Sequence, residues 1–60
     1  MTVREINRLV LTNRPVVARS ILQGTEDQTR IIRARLYKGQ VEVKRITGQW
    51  ARLIEAWEAK

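Results

Sequence analysis

The sequence predicts a single small α+β domain in the order helix, helix, β-hairpin, helix. The first two helices are expected within residues 1–24, the hairpin at 29–46 and the last helix at 47–59. Three observations predict this order. They are a capping box ahead of an apolar stripe near the start, an alternating basic segment in the middle, and an aromatic stripe at helical spacing near the end. With 60 residues and neither cysteine nor histidine, the domain has a thin core that no disulfide or ordinary zinc site supports.

The first helix is predicted from its N-terminal residues. Thr2 and Glu5 have the spacing of a capping box, in which each side chain bonds the backbone N–H of the other residue. Apolar residues then recur every three or four positions, so the pattern predicts a helix over about residues 2–11.

The segment that follows allows two interpretations. Asn13 can cap a helix, Pro15 is tolerated in a helix's first turn, and Gly24 can end it, which favours a short second helix. The β-branched residues of Arg4–Leu11 and Val16–Leu22 also fit strands, since short apolar runs are ambiguous by period alone. The alternative fold is therefore a four-stranded antiparallel sheet with a C-terminal helix.

The segment 30–46 predicts a basic β-hairpin whose register follows from its turn. A two-residue turn at Lys38-Gly39 pairs Leu36 with Val41, Arg35 with Glu42, Ala34 with Val43 and Arg33 with Lys44. Aliphatic residues then share one face, while the charged residues and Tyr37 share the other. Arg33 and Lys44 are like charges in directly opposite positions, and an anionic partner would relieve their repulsion.

A third helix is predicted over residues 47–59. Thr47 can cap it, and Trp50, Leu53, Ile54 and Trp57 stand at i, i+3, i+4 and i+7. Because both tryptophans share this stripe with aliphatic residues, we expect them to be core residues that hold the helix against the hairpin.

The charge balance points to a polyanionic partner. Lysine and arginine number twelve against six acidic residues, for a net charge of +6, and ten of the twelve lie in the first 46 residues. This distribution predicts a surface that faces phosphates. Without histidine, cysteine or a glycine-rich loop, the chain is not expected to be an enzyme or to bind a cofactor, a metal or a small-molecule substrate.

No apolar segment of the sequence has the length of a signal peptide core or a membrane span. We therefore expect a cytoplasmic protein without a membrane partner, associated with the nucleoid if it is bacterial or from a phage.

The stretch Thr2–Arg19, TVREINRLVLTNRPVVAR, resembles the helix-turn-helix of small excisionases and of the related MerR-like winged domains. The matching positions are Thr2, Val3, Glu5, Ile6, Leu9, Asn13, Arg14, Val17 and Arg19. The basic hairpin and the final stripe resemble the family's wing and packing helix. The turn departs from the family's pattern, because Asn7, Leu11 and Thr12 stand where a small residue, a glycine and an aliphatic residue are usual.

The resemblance implies a small winged helix-turn-helix that binds duplex DNA, with its second helix in the major groove. It implies DNA contacts from that helix at Asn13, Arg14, Val16 and Arg19, and from the wing at Arg33, Arg35, Lys38 and Lys44. The implied function is that of an excisionase-like recombination directionality factor, or of a small transcriptional regulator. The implied partners beyond duplex DNA are an integrase and further copies of the chain bound to neighbouring sites.

Two other functions stay open. The four-strand fold resembles PC4-like single-strand binders, in which the strands would present Arg33, Arg35 and Tyr37 to an unpaired strand. A small basic protein can also act as an interaction or inhibitor module that binds an acidic protein.

Overall fold

The computed structural model describes residues 1–60 and contains one helix and four strands. In chain order they are α1 (Val3–Leu11), β1 (Val16–Leu22), β2 (Thr25–Tyr37), β3 (Gln40–Arg45) and β4 (Trp50–Glu58). All strand pairs are antiparallel, and they close a barrel in the order β1-β2-β3-β4 because β4 also pairs with β1. No helix has the length and apolar character needed to cross a membrane.

The prediction of a winged helix-turn-helix fold is wrong. Residues 13–24 form β1 and the turns beside it instead of a second helix, and residues 47–59 contain β4 instead of a packing helix. The four-strand alternative is closer, since it places a strand at Val16–Leu22, but it expects a strand where α1 lies and a C-terminal helix where β4 lies.

The prediction of the first helix is confirmed, together with its cap. The backbone N–H of Glu5 donates to the Thr2 hydroxyl at 3.1 Å, and the backbone N–H of Thr2 donates to the Glu5 carboxylate at 3.0 Å. Asn13 ends α1 rather than beginning a second helix, because it adopts the left-handed conformation with a φ of 63°. Asparagine tolerates that conformation, and the chain then leaves the helix toward β1.

The hairpin register is also confirmed. β2 and β3 pair Ala34 with Val43 and Arg33 with Lys44, as the turn at Lys38-Gly39 predicts. Both turn residues have positive φ, 50° and 77°, which suits the right-handed twist of the strands. The first half of β2 pairs with β1 and its second half pairs with β3, and a bulge near Ile32 separates the two halves.

The barrel interior contains small side chains beside the larger aliphatic ones of the core. Ala18, Ala34 and Ala51 are buried, and Ser20 is fully buried beside them. Arg45 is buried with them, and its guanidinium donates from Nε to the Ser20 hydroxyl at 2.9 Å and from Nη2 to the Ser20 carbonyl at 3.0 Å. These bonds satisfy a polar group that would be costly to bury alone.

Helix α1 covers an edge of β2 that no strand pairs with. Ile6 enters the core, and the Asn7 amide forms two hydrogen bonds with the backbone of Ala34. Its Nδ2 donates to the Ala34 carbonyl at 2.9 Å, and its Oδ1 accepts from the Ala34 N–H at 2.8 Å. The side chain therefore takes the place of a strand neighbour and fixes the helix to the barrel.

We expect Asn7→Ala to lower the free energy of unfolding by about 1–3 kcal/mol, because it leaves a partly buried N–H and C=O without partners. Arg8→Ala is the matched control on the exposed side of α1, and we expect it to change stability by less than about 0.5 kcal/mol. Urea unfolding measures both. Equal stability of the two variants would contradict the role of Asn7.

The capping box also predicts a dependence of stability on pH. The backbone N–H of Thr2, followed by the Thr2 hydroxyl, lowers the pKa of Glu5 from its ordinary value of 4.5. A carboxylate whose pKa is lower in the folded protein stabilises the fold above its unfolded pKa, and this contribution is lost as the pH falls through the folded pKa.

We therefore expect Glu5→Gln, which cannot ionise, to be less stable than the unaltered protein at neutral pH. The difference should vanish once the pH is well below 4.5. Thermal melting of the two proteins at both pH values measures this, and a difference that does not change with pH would show that the carboxylate charge is irrelevant.

Candidate nucleic-acid interface

The outward side chains of the β2–β3 hairpin and of the start of β4 form one continuous surface, which we call the basic-aromatic face. Strand alternation places Arg33, Arg35 and Tyr37 outward on β2. Their cross-strand partners on β3 are Lys44, Glu42 and Gln40, respectively. The strand β4 extends the surface, because Trp50 lies opposite Lys44 and Arg52 lies opposite Glu42. The full set is Arg33, Arg35, Tyr37, Lys38, Glu42, Lys44, Trp50 and Arg52.

A stack of planar groups lies at the centre of this face. The central guanidinium carbon of Arg35 is 3.9 Å from the centroid of the Trp50 ring and 4.6 Å from that of the Tyr37 ring. Its Nε and Nη2 donate to one Glu42 oxygen at 2.9 and 2.8 Å. Arg35 is therefore neutralised by Glu42 and held against two aromatic rings.

The other cations of the face have no acidic partner. Each of the six acidic residues of the chain already has a partner. Glu5 belongs to the capping box. The other five form the ion pairs Arg14–Glu58, Arg19–Glu26, Arg19–Glu55, Arg35–Glu42 and Arg45–Asp27. The uncompensated charges of the face are those of Arg33, Lys38, Lys44 and Arg52. Cations without internal partners are available to phosphates.

The residues expected on a groove-reading helix do not form such a surface. Asn13 lies in the turn after α1, and Val16 is fully buried in the core. Arg14 pairs with Glu58 at 2.7 Å, whereas Arg19 pairs with Glu26 at 3.1 Å and with Glu55 at 3.0 Å. The four expected wing residues, in contrast, do lie on one hairpin: Arg33, Arg35, Lys38 and Lys44.

The expectation that both tryptophans are core residues is wrong. Neither is buried, and both lie on the outward side of β4, where Trp50 is opposite Lys44 and Trp57 is opposite Val17. Trp50 and Arg52 are the face residues that the sequence analysis missed. Interpreting the segment as a strand would have placed Trp50 and Arg52 on the same side as each other, but only the pairing of β4 with β3 places that side beside Lys44.

A second surface feature lies between α1 and β2. It is a groove of about 270 Å³ lined by Asn7, Val10, Leu11, Ile32 and Arg33. Leu11, one of the residues that line the groove, is 85% exposed. The groove borders the basic-aromatic face through Arg33.

Comparisons of the chain with protein-family models, with characterised protein sequences and with solved structures found no match. The function therefore has to be inferred from the basic-aromatic face and its charges.

Proposed function

We propose that the protein binds single-stranded nucleic acid through the basic-aromatic face. The observation that carries this proposal is the placement of four uncompensated cations around two partly exposed aromatic rings, Tyr37 and Trp50. Proteins that bind single strands combine cations that follow the backbone with aromatic rings on which bases stack. The face supplies both groups on one antiparallel surface.

Two physical considerations favour a single strand over a duplex. Tyr37 and Trp50 can stack only on a base whose ring face is free, and base stacking inside a duplex covers those faces. The residues implied for major-groove contacts are dispersed into a turn, ion pairs and the core. Duplex binding stays a prediction that the same experiment tests.

The charge of the face sets the expected dependence on salt. Each phosphate neutralised on a single strand contributes about 0.7 to the slope of log affinity against log salt. Engagement of all four uncompensated cations would give a slope of about −3. Stacking adds affinity without adding to this slope, so the two contributions can be separated by titration.

We expect fluorescence anisotropy to show tighter binding of oligo(dT) than of a duplex of equal length, with a steep fall in affinity as salt increases. Arg33→Ala and Lys44→Ala should each weaken binding and reduce the slope by about 0.7. Arg8→Ala removes the same charge from α1, away from the face, and is the matched control. Failure to bind oligo(dT) at low salt would contradict the proposal. Tighter binding of the duplex would show that duplex, and not single-stranded, nucleic acid is the preferred partner.

The same two variants have an expected effect on the free protein. Arg33 and Lys44 are directly opposite across the strands, so removing either charge relieves a repulsion. We expect Arg33→Ala and Lys44→Ala to melt at or slightly above the temperature of the unaltered protein in the absence of nucleic acid. If the melting temperature of a variant fell together with its affinity, unfolding would explain the loss of binding.

The groove beside the face favours a second candidate function, the binding of an acidic protein segment. Its apolar lining residues Val10, Leu11 and Ile32, together with the uncompensated Arg33, suit a segment that carries both apolar and acidic side chains. A pull-down after nuclease treatment tests this function, because capture of an acidic protein would persist without nucleic acid. Leu11→Ser should abolish such capture and leave oligo(dT) binding unchanged.

A further inference from the structure

Tyr37 and Trp50 lie on opposite sides of Arg35 along the strands. Trp50 lies in the cross-strand row of Arg33 and Lys44, whereas Tyr37 is two residues beyond Arg35 in the other direction. The guanidinium carbon of Arg35 is within 4.6 Å of both ring centroids. The two rings and the guanidinium between them define what we call the aromatic slot.

We propose that the aromatic slot receives one unpaired nucleobase and that Arg35 fills it in the free protein. This inference rests on the proposed function and specifies which part of the nucleic acid the face recognises. A guanidinium and a nucleobase are both planar, one atom thick, and able to stack on aromatic rings. A base that displaces Arg35 can therefore stack on the same two ring faces.

The contacts that keep Arg35 in the slot are ones that a ligand can replace. The Arg35 side chain is 39% exposed and that of Glu42 is 23% exposed, and ion pairs at such positions contribute little to stability. When a base takes its place, the guanidinium of Arg35 moves into solvent, where water satisfies its hydrogen bonds. The base then gains contact with the two rings.

Glu42 also has a replacement partner. On β4 it lies directly opposite Arg52, a cation without an ion pair in the free protein. When Arg35 leaves, Arg52 can neutralise the carboxylate, so that no acid is left unpaired against the incoming phosphates. Stacking on an aromatic ring does not distinguish one base from another. We therefore expect the slot to accept different bases with similar affinity.

The first test compares oligo(dT) of about eight nucleotides with an abasic strand of the same length. It uses the Trp57→Phe protein, in which Trp50 is the one remaining tryptophan. We expect oligo(dT) to quench Trp50 fluorescence and the abasic strand to leave it unchanged. The abasic strand should bind about 5- to 150-fold more weakly, the range expected for loss of one stacked base.

The second test empties the slot without changing the net charge of the face. The double variant Arg35→Ala with Glu42→Gln removes one cation and one anion, and we expect it to bind oligo(dT) at least as tightly as the unaltered protein. Its affinity for the abasic strand should not change. Tyr37→Leu removes one wall of the slot next to an exposed turn, and it should reduce the preference for oligo(dT) while the salt slope stays constant.

Thermal melting confirms that each variant is folded before binding is measured. Two outcomes would overturn the proposed slot while leaving nucleic-acid binding intact. The first is equal affinity of the protein for oligo(dT) and the abasic strand. The second is weaker binding of both strands by the double variant. That second outcome would make Arg35 a phosphate contact. Failure of both strands to bind at low salt would overturn the proposed function together with the slot.

Discussion

The barrel closes with only four strands, and this limits which side chains can point inward. Few strands leave a narrow interior, so several of the inward positions must carry small side chains. Ala18, Ala34 and Ala51 meet this requirement, and Ser20 both fits the space and bonds the long side chain of Arg45. Val16, Ile31 and Val43 fill the rest of the core beside this internally bonded cation, and Ile6 of the helix covers it.

The narrow interior determines what the outside can display. The charged side chains of the strands other than Arg45 are not buried, and along the hairpin and the start of β4 they occupy the alternate positions that face outward. On the hairpin and the start of β4 these positions collect cations and aromatic rings side by side. The face is therefore a direct result of strand alternation, and its central stack forms because Arg35 lies between the rows of Trp50 and Tyr37.

Sequence patterns predicted the elements whose signals are local. The Thr2–Glu5 box defined the start of α1, and the Lys38-Gly39 turn defined the register of β2 against β3. The final strand was mistaken for a helix because β4 contains a bulge near Ile54. The extra residue shifts the alternation by one, so Trp50 and Trp57 both lie outward although they are seven positions apart. An interval of seven residues is also about two turns of a helix.

The candidate site was predicted in part for the same reason. The wing residues Arg33, Arg35, Lys38 and Lys44 follow from local alternation, and the structure brings them together. Trp50 joins them only through the pairing of β4 with β3, a contact between segments that no local pattern reveals. Val16 and Arg19 were assigned to a helix surface, but pairing with β2 and β4 makes one a core residue and the other an ion-pair partner.

The bonds between Asn7 and Ala34 have a consequence for how the protein behaves at high concentration. Beyond Ile31 the strand β2 has no strand neighbour on its second edge, and such an edge is a template on which other chains add. The Asn7 amide occupies the backbone groups of Ala34 in the middle of this edge, and the nearby Arg33 adds like-charge repulsion between copies. A polar side chain from a helix thereby protects a basic barrel from polymerising through its own strands.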